Sequence, residues 1–370
     1  MTTTGVTFAP VSFADLPGWV QDDHAAAFRA FRKSSGRVIT AANSGSSAGK
    51  GQRHQALLSA CASAQALAGR RLTAAAVRAF FEAHFTPHRV LHDAPTGLLT
   101  GYYEPVLHGS RKPEGPFRIP IYRRPPDLVN LVDESMRGAH GGTLTHARKT
   151  ANGLQPFPTR AEIESGALKD RGLELLYLAD PVEVFFMQVQ GSGRIKLPDG
   201  TAVRVSYDGK NGHPYSSIGR HLIDTGQIPA DQVSLDRLAQ WLKADPKRAR
   251  LAMWHNASYV FFRELEAKEA MGPLGVLDIP LTPGRSLAVD GGVHAIGTPV
   301  YVSAPALSHA SRSGHFHRLM IAQDVGSAIT GPERGDIYFG SGRAAGRLAG
   351  VTKHAGNFFV LLPRGHAPAQ

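Results

Sequence analysis

Glycine and proline punctuate this chain heavily, with 40 glycines and 25 prolines in 370 residues. That density suits a turn-rich, mainly β protein better than a helical bundle. The first 90 residues read as helical. Gln21 to Phe31 is rich in Ala and Phe. Leu57, Leu58, Cys61, Ala64 and Ala68 recur at helical spacing, as do Leu72, Ala76, Val77, Phe80, Phe81 and His84. From Leu98 the texture turns to β, with strands expected over Leu99 to Tyr103, Phe117 to Tyr122 and Val182 to Gln190. Asp133 to Gln155 is polar and reads as an extended loop. Thr159-x-x-Glu162 is a capping box that opens a short helix through Leu168. Leu235 to Ala244 is an amphipathic helix that Pro246 should end, and β texture returns after Asn256 and holds to Pro363. There is no internal repeat. The order of textures gives α+β, mainly β, with barrels in place of an alternating βαβ sheet.

Several classes fall away. Apolar residues make up 42% and charged residues 19%, a globular composition with enough apolar surface for a sizeable core. No run of 18 apolar residues marks a membrane-spanning helix. Cys61 is the single cysteine, which excludes an intrachain disulfide and a thiolate metal cluster. The N-terminus shows neither a basic n-region, an apolar h-region nor a lipid-attachment cysteine, so read literally the chain is not exported. The formal charge of +11 favours an anionic partner. Arg70-Arg71, Arg123-Arg124 and Lys247-Arg248 are too isolated for a nucleic-acid footprint, so no nucleic acid is expected, and an acidic polymer such as cell-wall glycan or an anionic lipid surface fits the charge equally well. The loop Ala41 to Gly51 resembles a phosphate loop but has one residue too few between Gly45 and Gly49, and Gly51 stands where Ser or Thr would be needed. Gly340-Ser-Gly342-Arg-Ala-Ala-Gly346 misses the dinucleotide spacing, and His315-x-His317 lacks a third ligand. No cofactor and no metal are expected.

Four segments combine strand texture with clustered Gly and polar side chains. They are Thr100-Gly-Tyr-Tyr103-Glu104-Pro105, Phe185-Phe-Met-Gln188-Val-Gln190-Gly191-Ser192-Gly193, Lys210-Asn-Gly-His-Pro-Tyr215, and the C-terminal run with Asp290, Asp324 and Asp336. On a regular strand Phe186, Gln188 and Gln190 would share a face. Amides beside aromatic rings equip a carbohydrate site, since amides bond sugar hydroxyls and ring faces stack on sugar C–H surfaces. Each aspartate ends or begins an apolar strand, where a lone carboxylate is costly to bury. One carboxyl of raised pKa flanked by ionised neighbours is the arrangement of a general acid, although each aspartate alone also suits a turn.

Gly101-Tyr-Tyr-Glu-Pro105, the Phe185 to Gly193 segment, Gly209-Lys-Asn-Gly-His-Pro-Tyr215 and the three C-terminal aspartates together resemble the MltA family of lytic murein transglycosylases. The likeness runs from about Leu98 to Leu362. It implies a double-psi β-barrel built from the two chain ends and a smaller β-barrel inserted between them. The expected domains are 1–104, 105–253 and 254–370, with the last segment completing the barrel of the first and a glycan groove between barrels. The implied reaction cleaves the β-1,4 bond between N-acetylmuramic acid and N-acetylglucosamine without water, leaving a 1,6-anhydro ring. The family acid falls on Asp336, with Asp324 and Asp290 beside it. Tyr103, Glu104, Gln188, Gln190, Gly191, Ser192 and Tyr215 are the expected substrate contacts. The implied partner is the peptidoglycan strand, the expected state a monomer, and the implied place the periplasmic face of the outer membrane. Two other functions remain open: an ordinary two-carboxylate hydrolase with Asp324 as base and Asp336 as acid, and a noncatalytic glycan-binding barrel.

Overall fold

The computed structural model describes residues 6–44, 52–93, 97–133, 144–266, 272–311 and 314–364, so the phosphate-loop-like residues 45–51 lie outside it. The chain opens with β1 (Thr7–Pro10), α1 (His24–Asn43), α2 (Gln52–Ala66), α3 (Ala74–His84), β2 (Phe85–Leu91) and β3 (Gly97–Glu104). It continues through β4 (Val106–Ser110), β5 (Ile119–Tyr122), β6 (Leu128–Asn130), β7 (His146–Thr150), β8 (Gly153–Gln155), α4 (Arg160–Glu162), β9 (Glu174–Leu178) and α5 (Pro181–Gln190). Then follow β10 (Ser192–Lys196), β11 (Ala202–Lys210), α6 (Ile218–Asp224), α7 (Leu235–Ala244), α8 (Pro246–Trp254) and β12 (Val260–Glu264). The C-terminal part holds β13 (Ser286–Val289), β14 (Pro299–Ala304), β15 (Phe316–Val325), β16 (Arg334–Ser341), α9 (Gly342–Gly350) and β17 (Lys353–Pro363). Two compact units emerge. One comprises Met1–Gly101, Leu274–Gly340 and Thr352–Gln370, and the other Tyr102–Pro273 and Ser341–Val351. The later limit falls at 273/274 and not at 253/254 because β12 pairs with β11 and so joins the second unit, while the first falls within β3 at 101/102.

In the first unit, β17, β14, β15, β13, β16 and β3 form a ring that the β17–β3 pairing closes, a six-stranded barrel drawn from both chain ends. Only β13 and β15 run parallel among the register pairs of this ring; β14–β15, β13–β16, β14–β17 and β17–β3 are antiparallel. Strand alternation sorts the side chains. Leu99, Leu287, Val289, Val300, Val302, Met320, Ala322, Ile337, Phe358 and Val360 fill the barrel interior as one buried cluster. Tyr301, Leu319, Ile321 and Leu361 point the other way and pack with the apolar stripes of α1, α2 and α3. α1 begins at Asp23, whose carboxylate accepts the Ala26 amide at 3.0 Å, and α3 at Thr73, whose hydroxyl accepts the Ala76 amide at 3.1 Å. Cys61 sits in this helix–barrel core, and burial pushes its thiol up to about 11, the state of an inert packing residue. β1 and β2 add to the sheet at β17, strand structure within a stretch whose periodicity predicted helices alone.

The second unit is built on a six-stranded sheet of order β12-β11-β10-β4-β9-β5, beside a three-stranded sheet β6-β7-β8. β7 and β8 lie in the polar stretch expected to be loop; their pairing rests on backbone bonds, which polar side chains do not advertise. The expected strand Val182 to Gln190 is the helix α5. Asp180 caps it by accepting the Val182 amide at 2.8 Å, Pro181 takes the first turn, and Gly191 ends it at φ 74°, a left-handed conformation that favours glycine. Its buried residues fall on more than one face, so its short apolar run mimics a buried strand. The capping box at Thr159 is present, and the turn it opens passes from α4 into a π-type turn over Ile163–Ala167. Pro246 does not merely end α7. It starts α8, with Asp245 capping through bonds to the Lys247 and Arg248 amides at 2.9 and 3.1 Å. α9 is a helix where β texture was expected to persist.

Candidate active site

The three aspartates all lie on the first unit, and the barrel treats them differently. Ala288 on β13 is the register partner of Asp336 on β16 and of Asp324 on β15. Leu287 and Ile337 are in the barrel interior, so Ala288 and Asp336 face outward. The β15 register slips by one residue here: Leu287 pairs with Ala322 but Ala288 with Asp324. This bulge turns Asp324 to the face that Ala288 and Asp336 share. Gln323, the extra residue, is fully buried, and its amide donates to the Ala30 carbonyl at 2.9 Å and to Ser34 Oγ at 2.7 Å on α1. The bulge is thereby pinned by the helix beneath it. Strands two apart in a sheet lie about 10 Å from each other, which sets the scale of the Asp324–Asp336 spacing. Ala288 puts only a methyl between them.

Asp336 is half-buried, and Thr100 Oγ1 on β3 donates to its Oδ1 at 2.5 Å. Arg334, two residues earlier on the same face of β16, donates from Nη2 to Thr100 Oγ1 at 2.9 Å and from Nη1 to the Gly335 carbonyl at 2.6 Å. Burial pushes the Asp336 carboxyl above its ordinary value, against the opposing pull of the Arg334 guanidinium and the Thr100 hydrogen bond. Asp324 is also half-buried and accepts the Val325 amide at 2.9 Å. Asp290 is 7% exposed, and both its oxygens are engaged: Oδ1 accepts the Gly292 amide at 2.9 Å and Oδ2 the Gly331 amide at 2.7 Å. That makes Asp290 a tie between the turn after β13 and the loop leading to β16. Sequence reasoning did not select Thr100 or Arg334 as site residues. The signal was present in the two-residue spacing of Arg334 and Asp336, which puts both on one strand face.

The expected substrate contacts lie on the second unit. Tyr103 is half-buried, with its backbone amide donating to Gln190 Oε1 at 3.0 Å. A Cβ at Gly346 of α9 would come within 3.0 to 3.3 Å of the Tyr103 ring, so glycine permits the close approach of helix and ring. Gln190, Gly191 and Tyr215 are half-buried too. Gln188 is not beside Gln190 on one face, because two residues along a helix rotate the side chain by more than half a turn. It is 2% exposed, and its Oε1 accepts from Arg160 Nη1 at 2.6 Å. Glu104 is fully buried, bonded by Arg204 Nε at 2.6 Å and Nη2 at 3.1 Å and by Ser341 Oγ at 2.5 Å. Ser192 is buried at the start of β10. Asn211 holds the third segment from within: its amide donates to the Pro158 and Ala257 carbonyls at 2.9 and 2.8 Å, and its oxygen accepts the Tyr259 amide at 2.8 Å. Several motif residues that look like ligand contacts are therefore internal fasteners of the unit. Among the described residues no group of three or more His, Cys, Asp or Glu is placed to hold a metal ion, and no helix is long and apolar enough to cross a membrane.

Comparison with known proteins follows the same division. The MltA specific insert domain matches residues 98–263 and the 3D domain matches residues 285–362. A membrane-bound lytic murein transglycosylase from Agrobacterium tumefaciens, known from a crystal structure, is 38% identical, with a TM-score of 0.85 over 97% of this chain and 98% of that one. The membrane-bound lytic murein transglycosylase A of Escherichia coli K12 is 35% identical over 267 residues, 71% of this chain and 64% of that protein. The chain thus matches under two thirds of that relative's length. The E. coli MltA structure with bound chitohexaose is 28% identical, with a TM-score of 0.65 over 96% of this chain and 91% of that one. Near-complete coverage at 38% identity, together with both matched domains, shows that this chain belongs to the MltA family.

Proposed function

We propose that the protein is a peptidoglycan lytic transglycosylase that cleaves the β-1,4 bond between N-acetylmuramic acid and N-acetylglucosamine and leaves 1,6-anhydromuramic ends. The observation that carries this reading is Asp336, a carboxyl whose neutral form is favoured by burial on an outward face of the barrel. Asp336 gives its proton to the glycosidic oxygen as the C1–O bond breaks. The C6 hydroxyl of the muramic residue attacks C1, and its proton passes to the Asp336 carboxylate, which restores the acid. No water is consumed, and the attack is intramolecular, with the high effective molarity that implies. A single acid–base residue suffices because the substrate supplies the nucleophile. Asp324, on the same face across Ala288, stabilises the positive charge that builds on the sugar ring. Asp290 holds the loop that presents β16.

On the second unit, Tyr103, Gln190, Gly191 and Tyr215 offer ring faces, an amide and backbone groups to sugars, while Glu104 and Gln188 are bonded to Arg204 and Arg160 inside the unit. The bound chitohexaose of the E. coli relative supports a glycan as ligand, and the charge of +11 suits an anionic polymer. The names of the relatives, membrane-bound enzymes of murein, support a place in the cell envelope. Gln190→Ala should weaken glycan binding by about 1–3 kcal/mol, the worth of one buried amide contact. Calorimetry with purified glycan chains measures it, and unchanged affinity would remove Gln190 from the contact set.

Two carboxyls on one barrel face, Asp324 and Asp336 across Ala288, also suit an ordinary two-carboxylate hydrolase. Digestion of purified sacculi followed by mass spectrometry of the released muropeptides separates the two. Anhydro ends are expected. Reducing ends would mean that Asp324 activates water, and binding without release would mean a glycan-binding barrel.

A further inference from the structure

We infer that Arg334 and Thr100 form a one-way hydrogen-bond relay that decides which oxygen of Asp336 carries the proton, making them a positioning pair for the reaction proposed above, on which this reading rests. A guanidinium has only donors, so Thr100 Oγ1 must accept from Arg334 Nη2 at 2.9 Å. The hydroxyl has a single proton, and Asp336 Oδ1 at 2.5 Å is its acceptor. With the hydroxyl proton directed to it, Oδ1 is the accepting oxygen, and the acid proton resides on Oδ2. A free carboxyl would share its proton between both oxygens and rotate. Here the transferable proton has one address in the ground state, and the carboxylate left after transfer keeps a fixed orientation for the return step.

Arg334 is itself held. Nη1 donates to the Gly335 carbonyl at 2.6 Å, and both Nη2 contact and carbonyl contact keep the guanidinium against β3 and β16. Its charge also opposes the burial that pushes Asp336 up. Charged side chains on the strand of Asp336 and the strands around it include Arg334, Glu333 just before β16, Glu104 on β3, and Asp324 on β15, with Asp290 after β13, and among the described residues Arg334 is the charge that acts on the Asp336 carboxyl. Glu333 is directed away, its carboxylate bonded by Arg89, by His92 at 2.9 Å and by the Phe358 amide at 2.7 Å. Asp290 is engaged by the Gly292 and Gly331 amides. Arg334 is the cation of the set.

Thr100→Val keeps the shape and removes the hydroxyl. It should lower kcat about 10- to 100-fold, the size of a hydrogen bond to a charged group, with KM within about twofold of wild type. The basic limb of the pH–kcat profile should move to higher pH, because a contact that favours the carboxylate is gone. Thr100→Ser should recover most of the activity, and Arg334→Lys should lose less than Arg334→Gln. A Thr100→Val enzyme with kcat within about twofold of wild type and an unmoved basic limb overturns the relay. A second measurement does not depend on activity. Carboxyl carbon NMR of the Asp-labelled protein, with the Asp336 signal assigned through Asp336→Asn, should show it titrating at higher pH in Thr100→Val and Arg334→Gln than in wild type. Coincident titrations refute the relay even if the protein makes no anhydro product, while missing anhydro product with shifted titrations refutes the proposed reaction alone.

Discussion

Asp336→Asn is expected to lower the rate of glycan cleavage by about 10²- to 10⁴-fold, the contribution of a positioned general acid, with KM little changed. Asparagine keeps the shape and accepts the Thr100 hydrogen bond at 2.5 Å, but has no proton to give to the glycosidic oxygen. The same substitution carries a stability signature of opposite sign. Burial raises the folded pKa of Asp336 above its unfolded value. Its contribution to stability is complete below the unfolded value of about 4 and is lost as pH rises through the folded one. At neutral pH the wild-type carboxyl works against folding, so the asparagine variant should melt higher. The advantage should shrink to nothing near pH 3. Anhydro release and melting temperature measured across pH on both proteins test the pair of effects. A variant that retains most of its activity would remove Asp336 from the acid's place, and a melting advantage that grows on acidification would reverse the account of its burial.

The strands of the barrel were legible as short apolar runs such as Ser286 to Val289 and Leu319 to Ala322, and the helices that cover it because buried residues recur every three to four positions along α1 and α3. α5 was not. Its sequence Pro181–Gln190 is apolar nearly throughout, and only Asp180 and Gly191 at its ends mark it as a helix. That one misreading carried a second with it. Gln188 and Gln190 share a face only on a strand, and on the helix Gln188 turns inward to Arg160. Glu104 and Asn211 show the general limit. Motif residues beside Gly and Pro look like ligand contacts, but whether a polar side chain faces a substrate or a buried partner depends on residues far away in sequence, Arg204 in one case and Tyr259 in the other. The outward placement of Asp324 beside Asp336 needs the β15 bulge, and a one-residue bulge leaves no mark in a run of apolar residues.

Asp22→Ala is expected to destabilise the protein by about 3–5 kcal/mol, the cost of stranding a buried charge. The Asp22 side chain is 4% exposed, and its partner Arg285 is 7% exposed. The pair is bidentate, with Arg285 Nη1 on Oδ2 and Nη2 on Oδ1, both at 2.8 Å. Asp22 Oδ2 also accepts the Leu319 amide at 2.8 Å, and Arg285 Nη1 donates to the Leu319 carbonyl at 2.8 Å. One carboxylate thus joins the segment before α1 to the root of β13 and to β15, the two strands that carry Ala288 and Asp324. Removing it leaves a guanidinium in the core and an amide of β15 unpaired. Asp22→Asn should cost less than Asp22→Ala, because its amide oxygen still accepts from Leu319 and Arg285 Nη1, while the charge and the bond from Arg285 Nη2, which then faces an NH2 donor, are lost. Replacing both partners, Asp22→Leu with Arg285→Met, should cost less than Asp22→Ala alone, since no uncompensated charge remains. Denaturant unfolding of the four proteins measures the order. If Asp22→Ala lies within about 1 kcal/mol of wild type, the pair belongs with surface ion pairs in energy and does not anchor the helices to the barrel. If the double variant is the worst of the set, packing of the two stems, and not their charge, holds this corner together.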